Sequence, residues 1–523
     1  MKRVLSIFAA ISLLLLAGCE PDVENPNNGN NNNNQSTTTE DDDKTTTFTE
    51  QISIVWDGQN ATVTGDVNGV TVTSNDNGYV VITSTVKAVK YSLSGNGNGQ
   101  FKLYSDYKYE LNLNELTLHC DNGPAINSQC KKKGFVVVTG SNTLGDGSSY
   151  VSSNEDQKAA FFSEGQLIFS GTGTLDIIGS YKHALASDDY IQIASGTYTL
   201  TTSVSDGLHT NDGIQIDGGT ITIDAAGDGM QCDTSDIVIT GGKLTITAGD
   251  KGILAYGAIT ISSGEIEVYP QDKGIKALGD ITISGGRVYT IYGGSPNLPD
   301  APQRRIMLWG GPGGGNPPSG GGNPPSGGGR PGESSGPEGI ESKAALTISG
   351  GEVYAYAPDD AINSGGDLTI TGGLVCAHST GNDGIDANGN CYISGGVVYA
   401  IGASSPEVGI DANSEERKKL YVSGGTLVAI GGLESGASLT QTCYSASSWS
   451  KSTAYALYKN GEVALVFLTP ASGGSGLIVS TGGTPTLKSG VTYHGTGIFD
   501  GYGCVDASDV SGGTSVSLSK YSR

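Results

Sequence analysis

The strongest constraint on the fold is a unit of about 22 residues that repeats through the middle of the chain. Each copy alternates apolar and polar residues, bends at two small residues and alternates again, as in ITISGGRVYT from Ile281. This pattern predicts two short strands, each with one buried face, joined at a bend where glycine tolerates a positive φ. A third apolar position comes from Gly-Ile pairs such as Gly274-Ile275. The clearest copies begin at Ile214, Ile237, Ile259, Ile281, Leu346, Leu368 and Cys391.

Three short strands per repeat predict an all-β protein, a right-handed parallel β-helix over residues 111–432. Coils of such a solenoid stack about 4.8 Å apart, so one residue type that recurs at the repeat length becomes a ladder. A leucine-rich repeat would show leucine and helix signals that this sequence lacks, and a propeller unit would be longer.

The regions outside the regular repeat predict the domain organisation. The copies at Ile281 and Leu346 are 65 residues apart, and the excess is rich in Gly, Pro and Ser, which predicts a disordered insertion at about 294–337. Because solenoid ends expose unpaired strand edges, we expect a β cap at each end, residues 51–110 and residues 433–523.

The first residues resemble a bacterial lipoprotein leader. Lys2 and Arg3 precede an apolar stretch that ends in Leu-Ala-Gly-Cys, which predicts a signal peptide at 1–18 and lipidation at Cys19. Residues 19–50 are mostly Asn, Thr, Ser and Asp and predict a flexible tether. We therefore expect an outer-membrane lipoprotein at the cell surface that contacts the membrane through its lipid alone.

Charge and cysteine content limit the partners. The formal net charge is −24, and without a basic stripe nucleic acid is excluded as a partner. A polyanionic glycan would be repelled unless divalent cations bridged it. The chain has eight cysteines, of which Cys120 and Cys130 are a disulfide candidate, and the absence of a Cys-x-x-Cys pair argues against a thiolate zinc site.

One part of the chain resembles a known family. The stretches GSNTLGDG at 140–147 and AAFFSEGQLIF…GGTITI at 159–223, with the Gly/Pro loop between coils, resemble bacterial β-helical carbohydrate-binding proteins that are related in fold to family 9 polysaccharide lyases. The resemblance implies binding of pectic or cellulosic polysaccharide without catalysis, and bound calcium. Other surface proteins of glycan uptake are expected partners.

A first group of acidic residues recurs at an interval of 22: Asp206, Asp228, Asp250 and Asp272. Stacked carboxylates would repel one another by roughly 3 kcal/mol at an effective dielectric constant of 20. Either calcium or ion pairs with Lys251 and Lys273 would relieve that repulsion. The register is ambiguous, because two of the four aspartates precede Gly and the other two precede Lys.

A second group of acidic residues lies in the later repeats and predicts a calcium site. Its carboxylates stand two residues before or one residue after an isoleucine of the repeat and converge on an oxygen-rich pocket. The residues are Asp360, Asp383, Asp386 and Asp411.

Aromatic residues follow the glycine bend and predict a glycan-binding face. One column contains Tyr289, Tyr354 and Tyr399, and the next contains Tyr269, Tyr356 and His378. Exposed rings in a row suit the flat faces of sugars, and the insertion adds Trp309 near Tyr289. The alternative is that these tyrosines reflect strand propensity and cross-strand packing.

Two other functions remain open. A calcium-dependent pectate-type lyase would use a lysine base, Lys251, Lys273 or Lys276, whose pKa would have to be lowered. A structural surface adhesin would need neither metal nor glycan. His183 and His209 have no evident partners in the sequence.

Overall fold

The computed structural model describes residues 46–296 and 336–522. Cys19, Trp309, the predicted signal peptide and most of the predicted tether and insertion lie outside these residues. The described chain is a parallel β-solenoid, which confirms the predicted fold class. Within it, helical structure is limited to the short 3-10 turns Ser414–Glu416 and Phe499–Gly501.

Sheet 1 contains the strands that precede the glycine bend. They pair in parallel with the equivalent strand of the next coil. The strands are Gly134–Thr139, Leu167–Gly171, Tyr190–Ile193, Gly213–Ile216, Ile237–Ile239, Ile259–Ile261, Ile281–Ile283, Leu346–Ile348, Leu368–Ile370, Cys391–Ile393, Leu420–Val422 and Ser438–Leu439.

Sheet 2 contains the strands that follow the bend, and their register is again parallel. The strands are Ser141–Asp146, Thr174–Gly179, Thr197–Thr202, Thr220–Ala225, Lys243–Ala248, Glu265–Pro270, Arg287–Ile291, Glu352–Ala357, Leu374–Ser379, Val397–Ile401 and Thr426–Ile430.

Sheet 3 contains the strands built from the Gly-Ile positions and closes the coil. Its strands are Val70–Ser74, Tyr79–Ser84, Gln100–Ser105, Ile126–Ser128, Ala159–Ser163, His183–Ser187, Leu208–Thr210, Met230–Cys232, Ile253–Ala255, Ile275–Ala277, Ile340–Ser342, Ile362–Ser364 and Ile385–Ala387.

Alternate residues of all three sheets point into one continuous apolar core. Ile253, Ile275 and Ile340 are direct neighbours in sheet 3 and are fully buried. Burying one such side chain contributes about 1.5–3 kcal/mol. Since every coil repeats these contacts, the core extends along the solenoid axis.

The glycine bend is a stacked corner, as the repeat predicts. Gly351 has a φ of 79°, and a Cβ atom there would lie 2.7 Å from the carbonyl oxygen of Gly286. The corner therefore requires glycine for its backbone conformation and for the close approach of neighbouring coils. The same bend recurs at glycines 241–242, 285–286, 372–373 and 395–396.

Parallel pairing begins nearer the N terminus than residue 111. Glu50–Gly58 pairs in parallel with Val89–Asn98, and Val89–Asn98 pairs in parallel with Tyr109–Cys120. These long strands run through both sheet 1 and sheet 2. The segment 51–110 therefore consists largely of coils, and its antiparallel part is the pairing of Asn60–Thr64 with Glu50–Gly58 and of Val70–Ser74 with Tyr79–Ser84.

The C-terminal segment leaves the repeat and forms antiparallel structure. Leu477–Ser480 pairs with Thr426–Ile430 and occupies the edge of sheet 2, which would otherwise be open to another strand. Tyr444–Ala446 pairs with Leu477–Ser480 and with Ser519–Lys520. A separate five-stranded sheet, called the C-terminal sheet here, consists of Ala454–Lys459, Glu462–Leu468, Pro485–His494, Gly503–Cys504 and Ser508–Val516.

Cys120 and Cys130 are both buried free thiols, so the expected disulfide is not formed. The Cys120 thiol lies 3.6 Å from the hydroxyl of Tyr79, whereas the Cys130 thiol lies 3.7 Å from the carbonyl oxygen of Tyr107. Closeness in sequence did not imply pairing, because the strand and turn between them give the two thiols different neighbours. Over residues 46–296 and 336–522, no helix has the length and hydropathy needed to cross a bilayer.

Candidate functional site

Polar residues form two columns along sheet 3, on the side away from the apolar core. Column A lies two residues before the first core residue of each coil, and column B is the middle residue of each sheet 3 strand. Column A contains His183, Asp206, Asp228, Lys251, Lys273, Glu338, Asp360 and Asp383. Column B contains the polar residues His209, Gln231, Lys276, Glu341, Asn363 and Asp386, with the apolar Leu254 between Gln231 and Lys276, and Asp411 continues it beyond the last sheet 3 strand.

The register separates the four aspartates predicted as one ladder. Lys251, not Asp250, stands next to Asp228 in column A, since the N–H of Gly229 donates to the carbonyl oxygen of Lys251 at 2.9 Å. The lysine inserted before Gly252 displaces Asp250 by one position, and the same insertion displaces Asp272. The expected four-carboxylate ladder is therefore wrong.

Ion pairs occupy this part of column A. The ammonium of Lys251 lies 2.9 Å from a carboxylate oxygen of Asp250 and 3.4 Å from one of Asp272. Burial lowers the pKa of Lys251, but the carboxylates of Asp228 and Asp250 outweigh it and the net pKa is raised. The lysine of the recurring Asp-Lys pair thus neutralises aspartate charges of its own coil and of the next coil.

The next lysines are buried among glutamates. Lys273 lies 3.0 Å from Glu338 and 3.6 Å from Glu341, and Lys276 lies 3.5 Å from Glu341. Burial lowers the pKa of Lys273, yet the two glutamates outweigh burial and raise it overall. A lysine in such surroundings stays protonated, which does not suit a general base.

Asp360, Asp383, Asp386 and Asp411 form the carboxylate cluster. Asp383, Asp386 and Asp411 each place an oxygen within 4.8 Å of the others. Burial raises the pKa of Asp360 to about 8 and that of Asp383 to about 7, with nearby carboxylates adding to the shift. Burial raises the pKa of Asp386 to about 6, and burial with Glu434 raises that of Asp411 to about 9.

Backbone N–H groups hold one oxygen of two of these carboxylates, and a side-chain amide holds further oxygens. Asp360 Oδ1 accepts the backbone N–H of Asp383 at 3.0 Å, and Asp383 Oδ1 accepts that of Val408 at 2.5 Å. The amide of Asn363 donates to Asp360 at 2.9 Å and to Asp386 at 3.3 Å. Within the described residues, no lysine or arginine pairs with the cluster. An all-oxygen donor set of this kind fits calcium, which takes six to eight oxygen ligands.

The predicted row of exposed tyrosines is wrong. Tyr289 and Tyr354 are 3% exposed, and Tyr399 is fully buried. The C-terminal sheet packs over them, the hydroxyl of Tyr399 donates to the carbonyl oxygen of Leu468 at 2.8 Å, and the ring of Tyr354 stacks on Tyr502. These tyrosines therefore join the C-terminal segment to the solenoid.

The neighbouring column is also largely covered. Tyr269 is 9% exposed and its hydroxyl donates to Glu267 at 3.2 Å. Tyr356 is half-buried and packs edge-on against His378, which is itself buried. Neither column forms the open face that glycan stacking requires.

The sequence interpretation missed a stacked aromatic pair on sheet 1. Tyr392 and Tyr421 are half-buried, and their rings lie 5.0 Å apart at an angle of 11°. They belong to the coils that carry Asp386 and Asp411 in sheet 3. The signal was present, because the equivalent residue in the four preceding coils is threonine, from Thr260 to Thr369.

The partners of two histidines were also missed. His183 and His209 flank Asp206, and the three side chains offer ligand atoms within 4.8 Å of one another. Only the register between coils reveals this grouping, because the residues are not adjacent in sequence.

The fold and this site define a parallel β-solenoid with an oxygen-rich cluster on its surface. Residues 75–384, more than half of the chain, match the family described as "Carbohydrate-binding domain-containing protein". The chain belongs to this family, and membership supports a carbohydrate-binding role.

One solved structure similar to this chain is that of the polysaccharide lyase-like protein from C. thermocellum, a gadolinium derivative. The identity is 23% and the TM-score 0.42, over 46% of this chain and 99% of that chain. No curated protein matches.

Proposed function

We propose that this protein holds an extended polysaccharide without cleaving it, and that calcium bound by the carboxylate cluster is part of the binding surface. The observation that carries the proposal is the convergence of Asp383, Asp386 and Asp411 without a cationic side chain among the described residues. Family membership supplies the ligand class.

Repulsion within the cluster supports a bound cation. Two ionised carboxylates whose oxygens lie within 4.8 Å of each other repel by at least about 3.5 kcal/mol at an effective dielectric constant of 20. Calcium would remove this repulsion. Because Asp386 and Asp411 are only half-buried, oxygen atoms of a glycan can reach an ion held there.

The net charge favours an acidic glycan held through a divalent ion. The chain carries a formal charge of −24, so uronate groups would be repelled from its surface in the absence of calcium. A pectic polysaccharide therefore fits best, and a cellulosic one would depend less on calcium.

The stacked pair Tyr392 and Tyr421 provides an aromatic surface on the same coils. Each ring that contacts a sugar contributes on the order of 1 kcal/mol. Their position along the solenoid suits a linear glycan, because both are one-dimensional repeats.

The absence of cleavage is part of the proposal. A lyase base must be neutral to take a proton, whereas the pKa of Lys251 and that of Lys273 are raised by neighbouring carboxylates that outweigh burial. Lys276 lies against Glu341. These lysines balance charge between coils.

We also propose that the protein is a lipoprotein of the outer membrane, displayed at the cell surface. The support is the Leu-Ala-Gly-Cys sequence that ends at Cys19 and the polar stretch 19–50 that follows it. A tethered glycan-binding solenoid would deliver polysaccharide to other surface proteins of glycan uptake.

The test is binding to immobilised polygalacturonate and cellulose, with calcium or with chelator. Replacing Tyr392 and Tyr421 together by alanine should weaken binding roughly thirtyfold, from about 1 kcal/mol per ring. Tyr256→Ala, an exposed tyrosine several coils away, is the matched control and should bind normally.

Four results would contradict the proposal or part of it. Undiminished binding by the Tyr392/Tyr421 variant would show that these rings do not contact the glycan. Binding unaffected by chelator would show that calcium is not needed for binding. Release of unsaturated product from polygalacturonate, dependent on Lys251 or Lys273, would favour the lyase, whereas binding of no glycan under any condition would favour a structural adhesin.

A further inference from the structure

We infer that His183, Asp206 and His209 form a second metal site, suited to zinc or a similar transition ion and chemically distinct from the carboxylate cluster. His183 begins the strand His183–Ser187, Asp206 lies beside it in the next coil, and His209 is the middle residue of Leu208–Thr210. The site thus joins two neighbouring coils.

The ligand atoms already have the spacing of a coordination shell. Asp206 Oδ2 lies 3.2 Å from His183 Nδ1 and 3.1 Å from His209 Nδ1. Tetrahedral ligands about 2.0–2.1 Å from zinc are roughly 3.3 Å from one another. The two imidazole rings are nearly parallel, with centroids 4.2 Å apart, so both present Nδ1 to the same oxygen.

Neighbouring groups orient the aspartate. Asp206 Oδ1 accepts the backbone N–H of Asp228 at 2.9 Å, which leaves Oδ2 for the histidines. The carboxylate is therefore held in place from outside the site, as ligands of metal sites commonly are.

Neighbouring groups also bear on the histidine tautomers. Asp233 lies 3.3 Å from His209 Nε2, so a hydrogen on Nε2 has an acceptor there, and Nδ1 can then present its lone pair to a metal ion. The backbone N–H of Asp206 lies 3.4 Å from His183 Nδ1, and a metal ion on that nitrogen would take the lone pair that otherwise accepts this long hydrogen bond. With both rings in this tautomer, two nitrogen lone pairs and a carboxylate oxygen would converge on one position, where a cation would be bound by all three.

The arrangement without an ion has both rings carrying a hydrogen on Nδ1 and donating it to Asp206 Oδ2. The two arrangements differ in which ring nitrogen carries the hydrogen. His183 is 1% exposed, and its Nε2 has no hydrogen-bond partner among the described residues. Leaving a buried polar atom unpaired costs about 1–3 kcal/mol, and this cost applies to Nε2 with or without the ion, so the two arrangements are distinguished at Nδ1.

The donor set separates this site from the calcium proposal. Two imidazole nitrogens and one carboxylate oxygen suit zinc, copper or nickel, whereas the all-oxygen carboxylate cluster suits calcium. Asp233 then has the position of the outer carboxylate that orients a metal-bound histidine.

The test uses the purified protein after removal of metals by chelator. Addition of Co²⁺ should give the visible absorption of a tetrahedral site at one equivalent, and Zn²⁺ should abolish it. Replacing a ligand, as in His183→Gln, Asp206→Asn or His209→Gln, should weaken Zn²⁺ binding by more than about a hundredfold, because Asp233→Asn alone should weaken it about 10–100-fold.

Matched controls are His494→Gln and Asp224→Asn, which alter an exposed histidine and an exposed aspartate and should leave Zn²⁺ affinity unchanged. If the buried ligand variants fail to fold, Asp233→Asn still decides the matter, since Asp233 is partly exposed. Saturating Ca²⁺ should not displace Co²⁺.

Three outcomes would overturn the inference. One is the absence of stoichiometric Co²⁺ or Zn²⁺ binding together with a nitrogen NMR spectrum that shows both ring N–H groups on His209, which would mean that a proton occupies the position. Another is Zn²⁺ affinity that survives Asp233→Asn and every ligand replacement. The third is displacement of Co²⁺ by Ca²⁺ at equal concentration.

Discussion

Asp386→Asn should change the stability of this protein in opposite directions with and without calcium. At pH 8 the Asp386 carboxyl is ionised, because burial raises its pKa only to about 6, and Asp383, with a pKa raised by burial to about 7, is ionised as well. Asp411, whose pKa burial and Glu434 raise to about 9, remains largely protonated. Replacing Asp386 therefore removes one real charge pair.

The magnitude follows from the geometry. A separation of at most 4.8 Å corresponds to at least about 3.5 kcal/mol of repulsion at a dielectric constant of 20. Because Asp386 is partly exposed, solvent screening reduces this to about 1–2 kcal/mol. In chelator the variant should be more stable than wild type by that amount. At a calcium concentration one hundred times the dissociation constant, calcium binding raises the free energy of unfolding of the wild type by about 2.7 kcal/mol, and the variant lacks this stabilisation.

The assay is thermal melting at pH 8 of both proteins, in chelator and in millimolar calcium, with Asp224→Asn as the control at an exposed site. The melting temperature of Asp386→Asn should lie above that of wild type in chelator and below it in calcium. A variant less stable in both conditions would refute the electrostatic reasoning, and no response of the wild type to calcium would refute the metal site.

The other predictions concern pH, the C-terminal segment and the glycine corner. The folded pKa of Asp360, about 8 as a result of burial, exceeds the unfolded value of about 3.9. Its contribution to stability is thus fully present below pH 4 and is lost as pH rises to 8, so melting in chelator should fall across this range and calcium should flatten the profile. Tyr399→Ala should destabilise the packing of the C-terminal segment on the solenoid by about 3–5 kcal/mol, seen as early proteolysis after residue 433. If Tyr399 were an exposed surface residue, the rate of proteolysis would not change. Gly351→Ala should lower the free energy of unfolding by more than about 1 kcal/mol, measured by thermal melting. The reason is that the φ of Gly351 is 79° and that an added Cβ would lie 2.7 Å from the Gly286 oxygen. An unchanged melting temperature would contradict a crowded corner.

Part of the candidate site follows from the repeat. Asp383, Asp386 and Asp411 were grouped from their positions relative to Gly-Ile pairs, and the structure brings their oxygens together. The grouping of Asp206 with Asp250 did not hold, because one inserted lysine shifts a whole column by one position. Ladder predictions are reliable only where the register is unambiguous.

The sequence by itself determined the solenoid, its glycine corner and its apolar core. These depend on contacts between residues one period apart, so each coil carries in its own pattern the information that places it on the next. The tertiary structure alone decided which outer face is open. Tyr289, Tyr354 and Tyr399 point away from the core as the alternation requires, but the non-repeating C-terminal segment covers them. The meeting of His183 with His209 likewise depends on side-chain direction across coils, which a linear pattern does not encode.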